Sequence, residues 1–233
     1  MCTLTYIPTS KDTFIWTQNR DESPLRTAKD LIYDPNNAWV YPQEPQSGGT
    51  WISITKSGRV VSLLNGAFEQ NKYVPSVKSR GIMVLDFLTY TFLEDFVKAY
   101  DFKEMEPFTM VVYEHNSLWE FRWDKSKKYL KELEASKPHI WSSSTMYPQA
   151  IKELRRSWFS EYLQENSAPT RSSVLDFHNH AGTGDLRNDL LMDRGIVKTV
   201  SITSIEKNKE ALDMTYYDLV HGGVSKEHLL TSV

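Results

Sequence analysis

MCTLTYIPTSKDTFIWTQNRDE, residues 1–22, is the stretch from which the fold is read. Thr3 to Ile7 and Thr13 to Thr17 have strand character and flank the polar segment Pro8-Thr9-Ser10-Lys11-Asp12, so the chain opens with a β-hairpin. A hairpin returns its end to its beginning. Asn19-Arg20-Asp21-Glu22 therefore falls beside Cys2, at the head of a polar loop expected over Asn19–Leu25. Removal of Met1 would put a thiol and a free α-amine on one residue. An α-amine titrates near pH 8, at roughly 7.7–8.0. It is partly neutral at neutral pH and can serve as the base for its own side chain. Asp21 is placed to hold that ammonium, and Arg20 to bind a substrate carboxylate or support the thiolate. The plain alternative is a solvated polar turn with an internal ion pair.

Working outward, residues 34–49 are rich in Pro, Asn, Gln and Gly and are expected to form a long irregular loop. Thr50–Thr55 and Arg59–Leu64 form a second hairpin turning at Lys56-Ser57-Gly58. Residues 79–100 predict a helix, with Ile82, Leu85, Leu88, Phe92, Phe96 and Val97 on its apolar face. Phe108–Trp123 is a third hairpin turning at His115-Asn116, and His139–Ser142 a short strand. Helices are expected over Pro148–Gln164 and from Ser172. Lys198–Ile205 and Ala211–Tyr217 make the last hairpin. Antiparallel hairpins dominate, which predicts an α+β chain of sheets covered by helices rather than a doubly wound parallel sheet.

The bulk composition sets limits on function. The chain has 233 residues, a length that fits one domain, 1–233. Its net charge of −3 gives no bulk affinity for nucleic acid or anionic membrane. One cysteine excludes an intramolecular disulfide. The N-terminus lacks the pattern of a signal peptide, and the apolar stretch Ile82–Tyr100 is interrupted by Asp86, Glu94, Asp95 and Lys98, so no membrane insertion is expected. These readings together predict a cytoplasmic protein. Asp176-Phe177-His178-Asn179-His180 has two histidines but no third ligand nearby, so no metal and no other cofactor is expected. Ser142-Ser143-Ser144 lacks the surroundings of a serine nucleophile.

Met1-Cys2-Thr3, the NRDE of residues 19–22, Gly48-Gly49-Thr50-Trp51 and Leu64-Asn65-Gly66 together resemble the NRDE-motif proteins, the transport and Golgi organisation family. The pattern at the N-terminus is similar to that of the choloylglycine hydrolase group, which includes penicillin V acylase and bile-salt hydrolases. The resemblance implies a four-layer αββα sandwich of the N-terminal-nucleophile (Ntn) hydrolases. It also implies Cys2 as nucleophile, Asp21 beside its amine and Asn65 as an oxyanion donor, with Asn19, Arg20 and Trp51 lining the substrate site. The acylases carry an Arg where the spacing here gives Gln18. They carry an Asn where Trp141-Ser142-Ser143-Ser144 stands, so Ser143 and Ser144 are the substitutes. Lys198 stands where a late strand of the acylases has Arg, and it lacks the guanidinium fork.

Two functions follow from the resemblance. One is hydrolysis of a non-peptide C–N bond in a small-molecule amide. The other is non-catalytic binding or trafficking of a hydrophobic ligand such as haem or lipid. A homo-oligomer is compatible with either.

Overall fold

The computed structural model describes residues 2–69 and 78–231. Among them, one sheet has the order β10-β1-β2-β11-β12-β13 and the other the order β3-β4-β5-β6-β7-β8-β9. The first is built from β1 (Cys2–Ser10), β2 (Thr13–Glu22), β10 (His139–Ser142), β11 (Lys198–Lys207), β12 (Ala211–Asp218) and β13 (Val224–Leu230). The second is built from β3 (Leu31–Asp34), β4 (Trp39–Pro42), β5 (Ile52–Thr55), β6 (Val60–Asn65), β7 (Phe108–Glu114), β8 (Ser117–Trp123) and β9 (Lys128–Leu133). Every ladder between these strands is antiparallel. Among the described residues, four α-helices cover the sheets: α1 (Arg80–Leu88), α2 (Leu93–Ala99), α3 (Gln149–Glu165) and α4 (Arg171–His180). This is the expected α+β architecture of two face-packed sheets between helices.

Strand alternation explains the layering. Leu4 and Tyr6 of β1, with Phe14 and Trp16 of β2, enter the core shared with the second sheet. There the Trp16 indole N–H donates to Ser62 Oγ at 2.8 Å, and Phe14 packs edge-on to Tyr113 at 4.7 Å between centroids. Ile7 and Ile15 point to the opposite face and pack on Phe159 and Tyr162 of α3 and Val174 and Phe177 of α4. On the far side of the second sheet, Phe87 of α1 and Phe96 of α2 meet edge to face at 5.2 Å. Arg59 and Glu114 form an ion pair at 2.7 Å beneath these helices.

Several local expectations change. Asn19–Glu22 is strand rather than loop, because β2 is paired through Glu22 with β11. The 34–49 segment contains β4 as well as the end of β3. Residues 79–100 form two helices, and the buried face of the first is Met83, Val84, Phe87 and Leu88, with Ile82 exposed. The strands β9 and β13 escape a pattern-based reading because their exposed positions are heavily charged, as suits sheet edges. The turn at His115-Asn116 is as expected, and both residues have positive φ, at 48° and 62°.

His178 ties α4 to the first sheet. Its Nδ1 lies 2.7 Å from Asn19 Oδ1, and its Nε2 lies 2.8 Å from Thr5 Oγ1. Asn19 Nδ2 donates to the carbonyls of His178 and Leu190, so Oδ1 is the acceptor and the ring proton sits on Nδ1. Burial pushes the His178 pKa down to about 3, so the ring stays neutral. The unfolded chain accepts a proton there near pH 6.5. Stability from neutral His178 is therefore fully present above that pH and is lost as the pH falls toward about 3. Between pH 6 and 4, the unfolding free energy of the wild type should fall with acidification about 1.4 kcal/mol per pH unit more steeply than that of His178→Gln. Denaturant titrations at stepped pH measure this, and parallel profiles would contradict it.

Candidate active site

Cys2 begins β1 and stands opposite Arg20 on β2. Residues paired in an antiparallel ladder project to the same face, so the thiol and the guanidinium share one side of the sheet. Both line a cavity of about 280 Å³ together with Glu22, Trp51, Leu63 and Asn65. Arg20 is buried and stacks on the Trp51 ring, with its guanidinium carbon 3.8 Å from the ring centroid. It also donates from Nη1 to the Arg26 carbonyl at 2.6 Å. Burial lowers its pKa from the ordinary arginine value.

Burial pushes the Cys2 thiol up, and the Asp21 carboxylate adds to the effect. The Gln18 side chain, hydrogen-bonded to the thiol, and the Arg20 charge pull in the opposite direction. The net direction is upward, so the thiol needs a base to become a nucleophile. Gln18 also donates from Nε2 to the Leu63 carbonyl at 3.0 Å, while its Oε1 and the Trp51 Nε1 are buried without a hydrogen-bond partner among the described residues.

Asn65 closes β6 and lines the same cavity. Its carbonyl accepts from Ser143 Oγ at 2.7 Å and from Ser144 N at 3.1 Å, while Ser143 N donates to the Cys2 carbonyl at 2.9 Å. These bonds clamp Cys2 and Asn65 through one turn. Gly66, next in sequence, has φ of 83°, and a Cβ there would lie 2.9 Å from Ser144 Cβ. Gly is required for that approach.

Asp21 points to the other side of the sheet. Its Oδ2 accepts from Tyr147 Oη at 2.7 Å and its Oδ1 from Thr199 Oγ1 at 2.7 Å. Burial raises its pKa, and the Arg155 charge opposes that rise. Arg155, on α3, is itself fully buried. It donates to Thr3 Oγ1, to the Asp189 carbonyl at 2.7 Å and to the Asn188 carbonyl at 3.0 Å, and it stacks 3.6 Å from the Tyr147 ring centroid.

The structure thus brings Cys2, Arg20, Trp51 and Asn65 to one cavity. It corrects the expectation that Asn19 lines it. Asn19 alternates to the outer face and is consumed by its bonds to α4 and to Leu190. Ser144 faces a different cavity and accepts from Lys152 Nζ at 2.8 Å. The Ser143 hydroxyl is donated to Asn65 rather than left free. Lys198 pairs with Glu22 in the sheet but is not among the residues lining the cavity. Tyr147, Arg155 and Thr199 were missed by sequence reasoning. Only Thr199 had a legible signal, since it follows Lys198 on the expected late strand and pairs with Asp21.

Arg155→Met removes the cation that most opposes the burial-raised pKa of Asp21 and should cost roughly 3 kcal/mol or more. Asp21→Asn in the Arg155→Met background should then cost less than in the wild type. A double-mutant cycle by denaturant unfolding reads the coupling, and strict additivity would contradict it.

The fold has known counterparts. A Caenorhabditis elegans ortholog of N-acylethanolamine-hydrolyzing acid amidase matches with a TM-score of 0.60 at 14% identity, over 88% of this chain and 92% of that one. An arginine-to-leucine variant of the conjugated bile acid hydrolase from Clostridium perfringens matches with a TM-score of 0.61 at 10% identity, over 97% of this chain and 92% of that one. A cysteine-to-alanine mutant of the same hydrolase matches with a TM-score of 0.57 at 8% identity, over 100% of this chain and 97% of that one. At these identities the likeness is one of fold, that of the Ntn hydrolases. No curated protein sequence matches the chain. The family model for transport and Golgi organisation 2 matches residues 1–214, the span that runs from β1 through the first half of β12, and the chain belongs to that family.

Proposed function

We propose that the protein is an N-terminal-cysteine amidohydrolase that cleaves a non-peptide C–N bond in a small molecule. The observation that carries this reading is the convergence of Cys2, Arg20 and Asn65 on one cavity. The fold shared with two amide hydrolases supports it. In this reading Met1 is removed, and the freed α-amine is the missing base for the raised thiol.

Water is the one co-reactant that this chemistry needs. The neutral α-amine takes the thiol proton as Cys2 Sγ attacks the substrate carbonyl. Asn65 donates to the oxygen that gains negative charge. The tetrahedral intermediate collapses as the C–N bond breaks, and the ammonium passes its proton to the leaving amine. A thioester remains. Water attacks it, giving a proton to the α-amine, and the C–S bond breaks to release the acid and restore the thiol. Asp21, one residue beyond Cys2's ladder partner, supplies the negative charge that favours the ammonium. Arg20 is rigid on Trp51 and offers a fixed cation to a substrate carboxylate.

A second reading, binding of a hydrophobic ligand such as haem or lipid without chemistry, draws on one feature. The Ser143 hydroxyl is donated to the Asn65 carbonyl, which removes one donor from the oxyanion site. Among the described residues no histidine lines the Cys2 cavity, so a histidine-ligated haem gains no support there.

Intact mass of protein expressed without a tag should show loss of Met1. In an amide-hydrolysis screen, Cys2→Ala should abolish turnover. Asn65→Ala should lower kcat by about 100-fold or more, as loss of one oxyanion donor does. Fully retained Met1, or turnover equal in wild type and Cys2→Ala, would remove the enzyme reading.

A further inference from the structure

We propose that a second cavity, of about 720 Å³ and bounded by the ends of β6, β8, β10 and α3, binds an organic anion with an aromatic body. It shares no lining residue with the Cys2 cavity. Its volume is that of a site for a small organic ligand.

Among the described residues, Arg122, Lys152 and Arg156 line the cavity against one lining carboxylate, Glu69. Lys152 and Arg156 lie four residues apart on α3, a like-charge spacing that disfavours a helix. Lys152 also closes the first turn of α3, where the helix dipole is already positive. That helix starts at Pro148 with no side-chain cap and no acidic residue in its first turn. Three unfavourable choices at one helix end are explained if an anion offsets them.

Lys152 Nζ donates to Ser144 Oγ at 2.8 Å and to the Phe68 carbonyl at 3.1 Å, both neutral acceptors. Burial lowers the Lys152 pKa, and the charges of Arg122 and Arg156 lower it further. Arg122 pairs with Glu120 at 2.7 Å and donates from Nη1 to the Ala67 carbonyl, while its Nε is buried without a hydrogen-bond partner among the described residues. Arg156 is exposed. Trp141 and Phe68 supply aromatic lining beside these cations, which fixes the kind of body the anion would carry.

A carboxylate or a phosphate head would satisfy this chemistry, and a displacement assay separates them. Anilinonaphthalene sulfonate, an aromatic anion that fluoresces when bound, is titrated into the folded full-length protein. It is then displaced with naphthoate, naphthyl phosphate, neutral naphthol or inorganic phosphate. The probe should bind saturably at one site and be displaced by naphthoate or naphthyl phosphate. Whichever displaces better names the head group. Naphthol should compete at least about tenfold less well, and binding should weaken with salt. Arg156→Gln and Lys152→Gln should each weaken binding about fivefold or more, the loss of one close charge contact. Arg156 is at the surface, so its variant tests the site without disturbing the core. Cys2→Ala should bind as the wild type does. Absence of saturable binding, naphthol competing as well as the acids, or Arg156→Gln and Lys152→Gln both binding like wild type would overturn the proposal.

Discussion

The register between β1 and β2 is the constraint on which the rest of the structure depends. Cys2 is paired with Arg20, and a strand sends successive side chains to opposite faces. Gln18 and Arg20 therefore share the thiol's face, while Asn19 and Asp21 go to the helices. A slip of one residue would exchange these roles. Arg20 would be driven under α3 and α4, and the carboxylate would face the thiol from within the same cavity. The core holds the register on both sides. Trp16 bonds Ser62 of the opposite sheet, and Asn19 bonds His178 on the helix layer.

That alternation gives the NRDE segment two separate tasks. Arg20, flat on Trp51, faces the cavity. Asn19 and Asp21 are buried polar anchors, each with its bonding capacity largely filled. Burial of an unbalanced carboxylate is costly, and Asp21 is tolerable because two hydroxyls and the nearby Arg155 stabilise its charge. The glycine after Asn65 has a related task. It lets the 143–145 turn approach closely enough to bind both Asn65 and the Cys2 carbonyl. Two sheets thereby meet at the point where the candidate chemistry is placed.

Much of the fold was legible in the sequence because its strands announce themselves. The hairpins at residues 3–17, 50–64 and 108–123 have strong β-formers and clear turns. β9 and β13 were not legible, since a charged edge strand has neither a clean alternation nor a long apolar run. Asn19–Glu22 looked like a loop because polarity alone was read as solvent exposure, whereas these polar groups are satisfied inside the protein. Cys2, Arg20, Trp51 and Asn65 could be picked out from motif spacing. Tyr147, Arg155 and His178 could not, because they come from distant segments and act through contacts that exist only once α3 and α4 have packed on the sheet.

In the proposed mechanism Cys2 is a nucleophile whose base is its own α-amine. The pH dependence of Cys2 alkylation, compared between protein lacking Met1 and protein with Met1 retained, tests it most directly. With Met1 retained, burial keeps the thiol protonated, and the rate should stay low through neutral pH. With Met1 removed, the rate should rise through the titration of the α-amine, near pH 8. Identical profiles for the two forms would contradict the account.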